Sequence, residues 1–269
     1  MREIPLEEKM SVPWEEIKWF CSTTGTTGPP ELHPLTQSDF EIGCMDNICR
    51  GKWAIGLRPS DIVQNLTVFS CQSKIDAHLG AGIVGEQCGR GGLDNQIMVT
   101  KMANVTVLEQ LPSLVLRYFE RAEELGITTS GAITRMLIGM GEGWAESYKK
   151  KVEARYGVIF RTVYGLSEVA ELGFECEYGG GMHINADRSI VEIVDPETKQ
   201  VLEPGEEGEL VITNFCRKGV PRIRFRTSDI AKILPYEPCP CGRTFPKMSF
   251  VKGRMSQVIK IKGKKFFPM

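Results

Sequence analysis

The sequence predicts an α/β fold of layered, mostly parallel sheets with helices, joined to a smaller β-rich, barrel-like subdomain. Three observations predict it. Between residues 104 and 163, short apolar runs alternate with helical patterns of about 10–15 residues, as parallel strands with crossover helices require. From about residue 170, short strands separated by turns at Asp195-Pro196, Pro204-Gly205 and Glu207-Gly208 replace that alternation. The chain has 269 residues, 42% of them hydrophobic, enough for a large core in one or two domains. The expected organisation is an α/β part over 1–170, a β-rich part over 171–252 and a terminal segment over 253–269.

Residues 5–20 read as a short helix interrupted at Pro13, with Trp14, Ile17 and Cys21 sharing a face. A run of Ser22-Thr23-Thr24-Gly25-Thr26-Thr27-Gly28 follows, then Pro29-Pro30. Thr36, with Asp39 three residues on, makes a capping-box-like helix start. Phe40, Cys44, Ile48 and Trp53 continue an irregular helical face towards Leu57, and Arg58-Pro59-Ser60-Asp61 is a turn. Residues 62–69 have strand character, and 74–84 place apolar and small residues at helical spacing. A buried strand at 104–108 precedes an amphipathic helix over 111–125, ended by Gly126. Another strand at 135–139 runs into Met140-Gly141-Glu142-Gly143-Trp144 and a polar helix to Tyr156, stopped by Gly157. The next strands fall at 158–163, 189–194, 209–213, 222–226 and 230–234.

Charge is balanced, with 33 Lys+Arg against 34 Asp+Glu, so no global basic field draws nucleic acid. No apolar run approaches the ~20 residues a membrane span needs, so no membrane partner is expected. Residues 1–9 hold no apolar segment of signal-peptide type. Nine cysteines, at 21, 44, 49, 71, 88, 176, 216, 239 and 241, then read as reduced thiols in the cytoplasm, some of them on a metal. His33 and His78 have no partners in sequence and read as surface or core residues, not catalytic bases.

The Thr/Gly run cannot pack a core. Its glycines permit positive φ and close approach, and its hydroxyls and turn N–H groups can converge on an anion. It is not a Gly-Lys-Ser/Thr phosphate loop, and by composition alone it reads equally as a polar linker. Three further polar stretches stand out: Tyr164-Gly165-Leu166-Ser167-Glu168, Arg226-Thr227-Ser228-Asp229, and Gly253-Arg254 with Lys260. The first two directly follow predicted strands, where open α/β sheets place their ligands. Glu168 suits Mg²⁺, which takes one or two carboxylates plus phosphate oxygens. Asp229 suits vicinal sugar hydroxyls. Each alone reads as well as a surface turn.

In this order, the four stretches resemble the motifs of the adenylate-forming acyl-CoA synthetase superfamily. The nearest likeness is its phenylacetate–CoA ligase branch, through Tyr164 to Glu168, Cys176 with Met182-His183-Ile184, Cys239-Pro240-Cys241-Gly242-Arg243-Thr244, and Glu142-x-Trp144. The resemblance implies that a carboxylate attacks the α-phosphate of MgATP, and that CoA thiol then releases AMP. It implies an aryl or arylacetic acid as substrate, bound between the 69–73 loop, the 139–143 stretch and Tyr164. Ser22, Thr23, Thr24, Gly25, Thr26, Thr27 and Gly28 would hold the β/γ-phosphates. Glu168 would hold Mg²⁺, Gly141, Glu142 and Gly143 would line the adenine slot, Tyr164 with Gly165 would pack on the base, and Asp229 would fix the ribose. Arg243 and Arg254 would lie near ribose and phosphates. Residues 253–269 would be the hinge to a C-terminal lid domain that these 269 residues do not include, and the branch implies a homodimer.

Departures from the family pattern are visible. Gly28-Pro29-Pro30 stands where Gly-Lys-Pro is usual, Met255-Ser256-Gln257 lacks the hinge acid, and Ser228 replaces a glycine. Two other readings therefore stay open: an adenylating enzyme that passes its acyl group to a carrier protein or other acceptor, and a catalytically impaired nucleotide-binding scaffold. Separately, Cys176, His183, Cys239 and Cys241 form a Cys₃His set suited to structural zinc, provided the fold joins the two turns.

Overall fold

The computed structural model describes residues 4–23, 30–67, 80–86, 91–128, 131, 133–261 and 264–266. Its centre is an eight-stranded sheet. Strands β3 (Ile62–Asn65), β4 (Val84–Glu86), β5 (Val107–Gln110), β6 (Met136–Gly139) and β7 (Ile159–Leu166) run parallel, in the spatial order β7-β6-β5-β3-β4. Beyond β7 the sheet continues antiparallel through β8 (Ala170–Phe174), β9 (Met182–Ile184) and β13 (Lys247–Met248). A separate antiparallel sheet comprises β10 (Ser189–Val194), β11 (Gly208–Asn214) and β12 (Arg222–Ala231). The α/β architecture with a smaller β-rich part is thus observed, but the boundary expected at residue 170 is not a sheet boundary. Residues 170–184 and 247–248 extend the parallel sheet, because β7 offers its second edge to β8.

Alternating side chains of the parallel strands feed two cores. Leu108, Leu137 and Phe160 face helices at Leu93–Ala103, Pro112–Glu124 and Glu146–Tyr156, through Ile97, Val115, Phe119 and Val152. Val107, Met136, Ile138 and Val163 face the other way, onto Ala54 and Ile55 at the end of the helix Asn47–Ala54. Strands buried on both faces explain the continuous apolar runs in the sequence. A third core, with Val169, Leu172, Met182, Ile193, Leu210 and Met248, joins the antiparallel arm to the small sheet.

Several local expectations are met. The helix after Thr36 opens with a complete capping box, Thr36 with Asp39. It runs from Gln37 through a π-helical turn at Glu41–Asp46 into Asn47–Ala54. Gly126 and Gly157 terminate their helices at φ +66° and +63°, where a side chain would be strained.

Others are corrected. Residues 5–20 are not one helix. A single turn at Leu6–Lys9 and a 3₁₀ turn at Trp14–Glu16 lead into β1 (Ile17–Ser22), which pairs antiparallel with β2 (Leu32–Thr36). Trp14, Ile17 and Cys21 fit a helical spacing by coincidence, because the burial of β1 alternates with period two. The strand expected at 62–69 ends at Asn65 within the described residues, and most of the helical pattern at 74–84 lies outside them. The helix Leu93–Ala103 had no sequence expectation: only Ile97 and Thr100 are buried, while Met98 and Met102 face outward, so no apolar stripe shows. The strands expected at 222–226 and 230–234 are one strand, β12, with two irregularities of register.

Asp39 also reaches beyond its own helix. Its buried carboxylate accepts the backbone N–H of Lys218 at 2.6 Å and of Gly219 at 2.8 Å. Gly219 has no room for a Cβ against the Pro34 carbonyl, so hairpin, helix and the 217–219 segment meet at one point. Asp39→Ala removes the cap and leaves buried N–H groups unpaired, and should lower the free energy of unfolding by about 2–4 kcal/mol in urea titration. Asp39→Asn, which keeps an acceptor, should cost less.

Candidate active site at the carboxyl edge of the parallel sheet

The carboxyl ends of β5, β6 and β7 open on one edge. Parallel pairing of β7 with β6 ends at Thr162 opposite Gly139. Antiparallel pairing with β8 carries β7 on to Leu166. Gly165 is required there, because a Cβ would lie 2.8 Å from the Ala170 carbonyl and 2.9 Å from the Glu171 Cα. Tyr164 and Gly165 are therefore within the strand, and Ser167, Glu168 and Val169 form the turn beyond it.

Asp229 is 4% exposed and lies inside β12, not in a turn after it. The Tyr164 hydroxyl donates to its Oδ2 at 2.6 Å, and Arg254 Nε donates to its Oδ1 at 3.2 Å. Burial pushes the Asp229 carboxyl up, opposed by these two donors. Burial and the adjacent carboxylate raise the Tyr164 phenol well above its ordinary value, so it stays a donor. Arg254 is also bound by its backbone, in a bridge opposite Asp229, with Gly253 accepting from the Ile230 N–H at 2.9 Å.

The bend that presents Asp229 has an anchor that sequence reasoning missed. Glu209, buried in β11, accepts from Arg226 Nε at 2.8 Å and from the Ser228 N–H at 3.1 Å. Ser228 adopts φ +63°, a conformation costly for a non-glycine residue. The only signal for Glu209 was an acidic residue opening an apolar strand, Glu209-Leu210-Val211-Ile212.

Gly141, Glu142 and Gly143 follow β6. Glu142 accepts from the Ser113 N–H and hydroxyl, each at 3.0 Å, at the start of the helix Pro112–Glu124. A Cβ on Gly143 would stand 3.2 Å from the Val251 carbonyl, so this loop lies against the segment leading to Arg254.

The hairpin β1–β2 brings Ser22 and Thr23, the first two residues of the Thr/Gly run, to the same edge. Ser22 pairs with Leu32, and Thr23 closes the mouth: its N–H reaches the Glu31 carbonyl at 3.0 Å and its Oγ1 accepts the Glu31 N–H at 2.9 Å. Thr24, Gly25, Thr26, Thr27 and Gly28 lie outside the described residues, as does His78. A carboxylate oxygen of Glu168, a carboxylate oxygen of Glu31 and a nitrogen of His33 lie within 4.8 Å of one another. His33 is therefore not without partners, as its sequence surroundings suggested. It is buried, its Nδ1 is 3.0 Å from Arg222 Nη2, and burial and the Arg222 charge push its pKa down to about 4. Glu31 accepts from Lys9 at 3.2 Å and from Arg222 at 3.4 Å.

Arg243 sits elsewhere. Its guanidinium lies 5.9 Å over the Phe174 ring, which is 6.1 Å from the His183 ring. Among the described residues it shares no hydrogen bond with Tyr164, Asp229 or Arg254.

The Cys/His set is brought together. Cys176 Sγ is 3.7 Å from Cys239 Sγ, and Cys241 Sγ is 3.3 Å from His183 Nε2. All four ligand atoms lie within 4.8 Å of one another. A tetrahedral zinc ion with Zn–S about 2.3 Å and Zn–N about 2.0 Å sets ligand atoms roughly 3.5–3.8 Å apart. His183 Nδ1 lies 3.1 Å from the Phe245 carbonyl, an arrangement that puts its hydrogen on Nδ1 and leaves Nε2 free to ligate.

No protein-family model matches the chain. It is 31% identical over 265 residues to the phenylacetate-coenzyme A ligase of Aromatoleum evansii, covering 96% of this chain and 59% of that protein. It is 30% identical over 271 residues to the Escherichia coli K12 enzyme of the same name, covering 97% and 60%. The chain thus spans about three fifths of the length of the curated relatives it matches. Among solved structures it is similar to an open conformation of 2-hydroxyisobutyryl-CoA ligase in complex with 2-HIB-AMP and CoA. That likeness has a TM-score of 0.86 at 22% identity and covers 99% of this chain and 64% of that one. ATP-bound MatB from Rhodopseudomonas palustris is similar at TM-score 0.66 and 18% identity, over 93% of this chain and 50% of that one. These likenesses establish the adenylate-forming acyl-CoA ligase fold. No helix among the described residues is long and apolar enough to cross a membrane.

The buried His33 makes stability depend on pH. Its folded pKa of about 4 lies below the ordinary 6.5, so between these values the unfolded chain takes up a proton that the folded chain refuses. The contribution is complete above pH 6.5 and is lost as pH falls, by about 3 kcal/mol over the whole window. His33→Gln should flatten the fall in unfolding free energy between pH 6.5 and 4, measured by denaturant titration at several pH values.

Proposed function

The chain is related along nearly its whole length to phenylacetate-coenzyme A ligases, and from this we propose that it is the nucleotide-binding core of an AMP-forming carboxylate–CoA ligase. The observation that carries the proposal is the joining of Tyr164, Asp229 and Arg254 on one edge with Glu168 and the mouth of the Thr/Gly hairpin. These come from four distant stretches of sequence, and a set of surface turns would not converge.

In this reading Asp229, oriented by Tyr164 and Arg254, accepts hydrogen bonds from the ribose hydroxyls. The 141–143 loop borders the adenine beside Tyr164, and Ser22 to Gly28 surround the phosphates. Glu168 is the ligand for Mg²⁺, which when bound would neutralise phosphate charge. A carboxylate oxygen of the acid attacks the α-phosphorus as pyrophosphate leaves. The CoA thiol then attacks the acyl carbon, losing its proton as AMP departs. Alignment of these groups is the main contribution of the chain. An aryl or arylacetic acid would lie beside Gly139, the 141–143 loop and Tyr164, and the reduced thiols fit a cytoplasmic enzyme.

The Cys₃His corner we assign to structural zinc. Four protein ligands leave no position for substrate. It would clamp the 176–183 turn to the 239–241 turn, beside the end of the sheet at β13.

Carboxylate-dependent ATP–pyrophosphate exchange with a panel of aryl acids tests the ligase reading. Exchange with one acid is expected, and absence of both exchange and ATP binding would overturn it. Asp229→Ala should weaken AMP binding about 10–100-fold, whereas Glu168→Gln should cut Mg²⁺-dependent turnover by orders of magnitude with folding intact. Elemental analysis should find one zinc per chain, lost in Cys239→Ser. A metal-free protein whose melting temperature ignores chelators would refute the zinc assignment.

A further inference from the structure

The proposed reading leaves phosphate charge unmatched by the Thr/Gly run, since residues 22–30 hold no Lys or Arg. Buried cations lie nearby. Arg217, between β11 and β12, is 6% exposed, and its Nη2 donates to the Ser167 carbonyl at 3.4 Å, one residue before Glu168. Its Nε and Nη1 are buried and have no hydrogen-bond partner among the described residues. His33 is 3% exposed, and its Nε2 is likewise buried without a partner among them.

The state of His33 follows from its neighbour. A guanidinium only donates, so His33 Nδ1, 3.0 Å from Arg222 Nη2, accepts and carries no proton. The one hydrogen of the neutral ring is then on Nε2. His33 Nε2 is therefore a donor, on a ring that has one nitrogen within 4.8 Å of carboxylate oxygens of Glu31 and Glu168. Glu31 is already paired with Lys9 and Arg222. Three cations, Lys9, Arg217 and Arg222, stand against two carboxylates, Glu31 and Glu168. The groups left to satisfy among the described residues, at Arg217 and His33, are N–H donors. A buried charged donor without an acceptor is costly, and an oxyanion resolves it.

We propose that Arg217 Nε and Nη1, with His33 Nε2, bind the phosphates of ATP that depart as pyrophosphate, supplying the positive charge that the loop lacks. The proposal rests on the ATP-dependent reading above. It makes Arg217 specific for the β- and γ-phosphates, which AMP does not have.

The test is calorimetric binding of magnesium pyrophosphate, ATP and AMP to the full chain and to R217Q and R217K. R217Q should weaken pyrophosphate and ATP about 10–100-fold and leave AMP unchanged, with R217K between it and the parent. Pyrophosphate binding unchanged in R217Q overturns the inference alone. Equal weakening of AMP and pyrophosphate assigns Arg217 a structural role and also overturns it. A parent chain that binds neither ATP nor AMP overturns the ligase reading, and this inference with it. Should R217Q not fold, the Arg217 Nε–H resonance of the parent, assigned by its loss in R217K, decides. It should shift with pyrophosphate but not with AMP, and a resonance indifferent to pyrophosphate overturns the proposal.

Discussion

The two unlike ladders of β7 are the constraint on which the site depends. On one side β7 pairs parallel with β6, ending opposite Gly139; on the other it pairs antiparallel with β8 as far as Leu166. The strand therefore outruns its parallel neighbour while its backbone groups on the β8 side remain paired. Tyr164 and the Ser167–Val169 turn consequently stand beyond the end of β6, where the 141–143 loop departs. Without β8 that extension would be paired on neither side and free to fray. Gly165 is the local requirement, since β8 passes too close for any side chain.

The small sheet supplies the opposite wall, and it does so through buried charge. Asp229 reaches Tyr164 because β12 is irregular where it passes Glu209. That irregularity places Ser228 at φ +63°, and Glu209 offsets the strain by accepting its N–H and pairing with Arg226. Two acidic side chains in adjacent strands thus have different tasks. Glu209 is enclosed by donors from its own sheet and fixes the backbone, whereas Asp229 is met by donors from elsewhere, Tyr164 and Arg254. Burial that raises a carboxyl's pKa also strengthens its bonds to those donors.

Legibility in the sequence followed how local the determining physics was. The capping box at Thr36, the stops at Gly126 and Gly157 and the apolar runs of β5, β6 and β7 depend on neighbours within a few residues, and each was readable. Ile17 to Ser22 was misread because an alternating strand and a helical face share several apolar positions over so short a span. The helix at Leu93–Ala103 buries too little to mark itself. At the site, Tyr164, Glu168, Asp229 and the Cys/His set were readable as motifs. Glu209, Glu31, His33 and Arg217 were not, because their meaning comes from partners up to 191 residues away, as between Glu31 and Arg222. Arg243, also a motif residue, lies over Phe174 beside the Cys/His corner.

The hairpin that bears the Thr/Gly run has two strands only, and such a unit is marginal alone. Its ties identify what positions it. Trp19 stacks on Phe40 at 4.3 Å, linking β1 to the capped helix. That helix is bound through Asp39 to the backbone of Lys218 and Gly219, and Ser11 donates its N–H to the Gly219 carbonyl at 3.2 Å. Glu31 and His33, at the return of the hairpin, both engage Arg222. Every tie except the ring stacking and the Lys9 ion pair converges on residues 217–222. The same segment carries Arg217 to Ser167 and continues into β12, which delivers Asp229. The Glu168 end and the Asp229 end of the candidate site are therefore joined by one short stretch of chain. A displacement of either end must pass through buried hydrogen bonds, so the spacing between them is set by the fold itself.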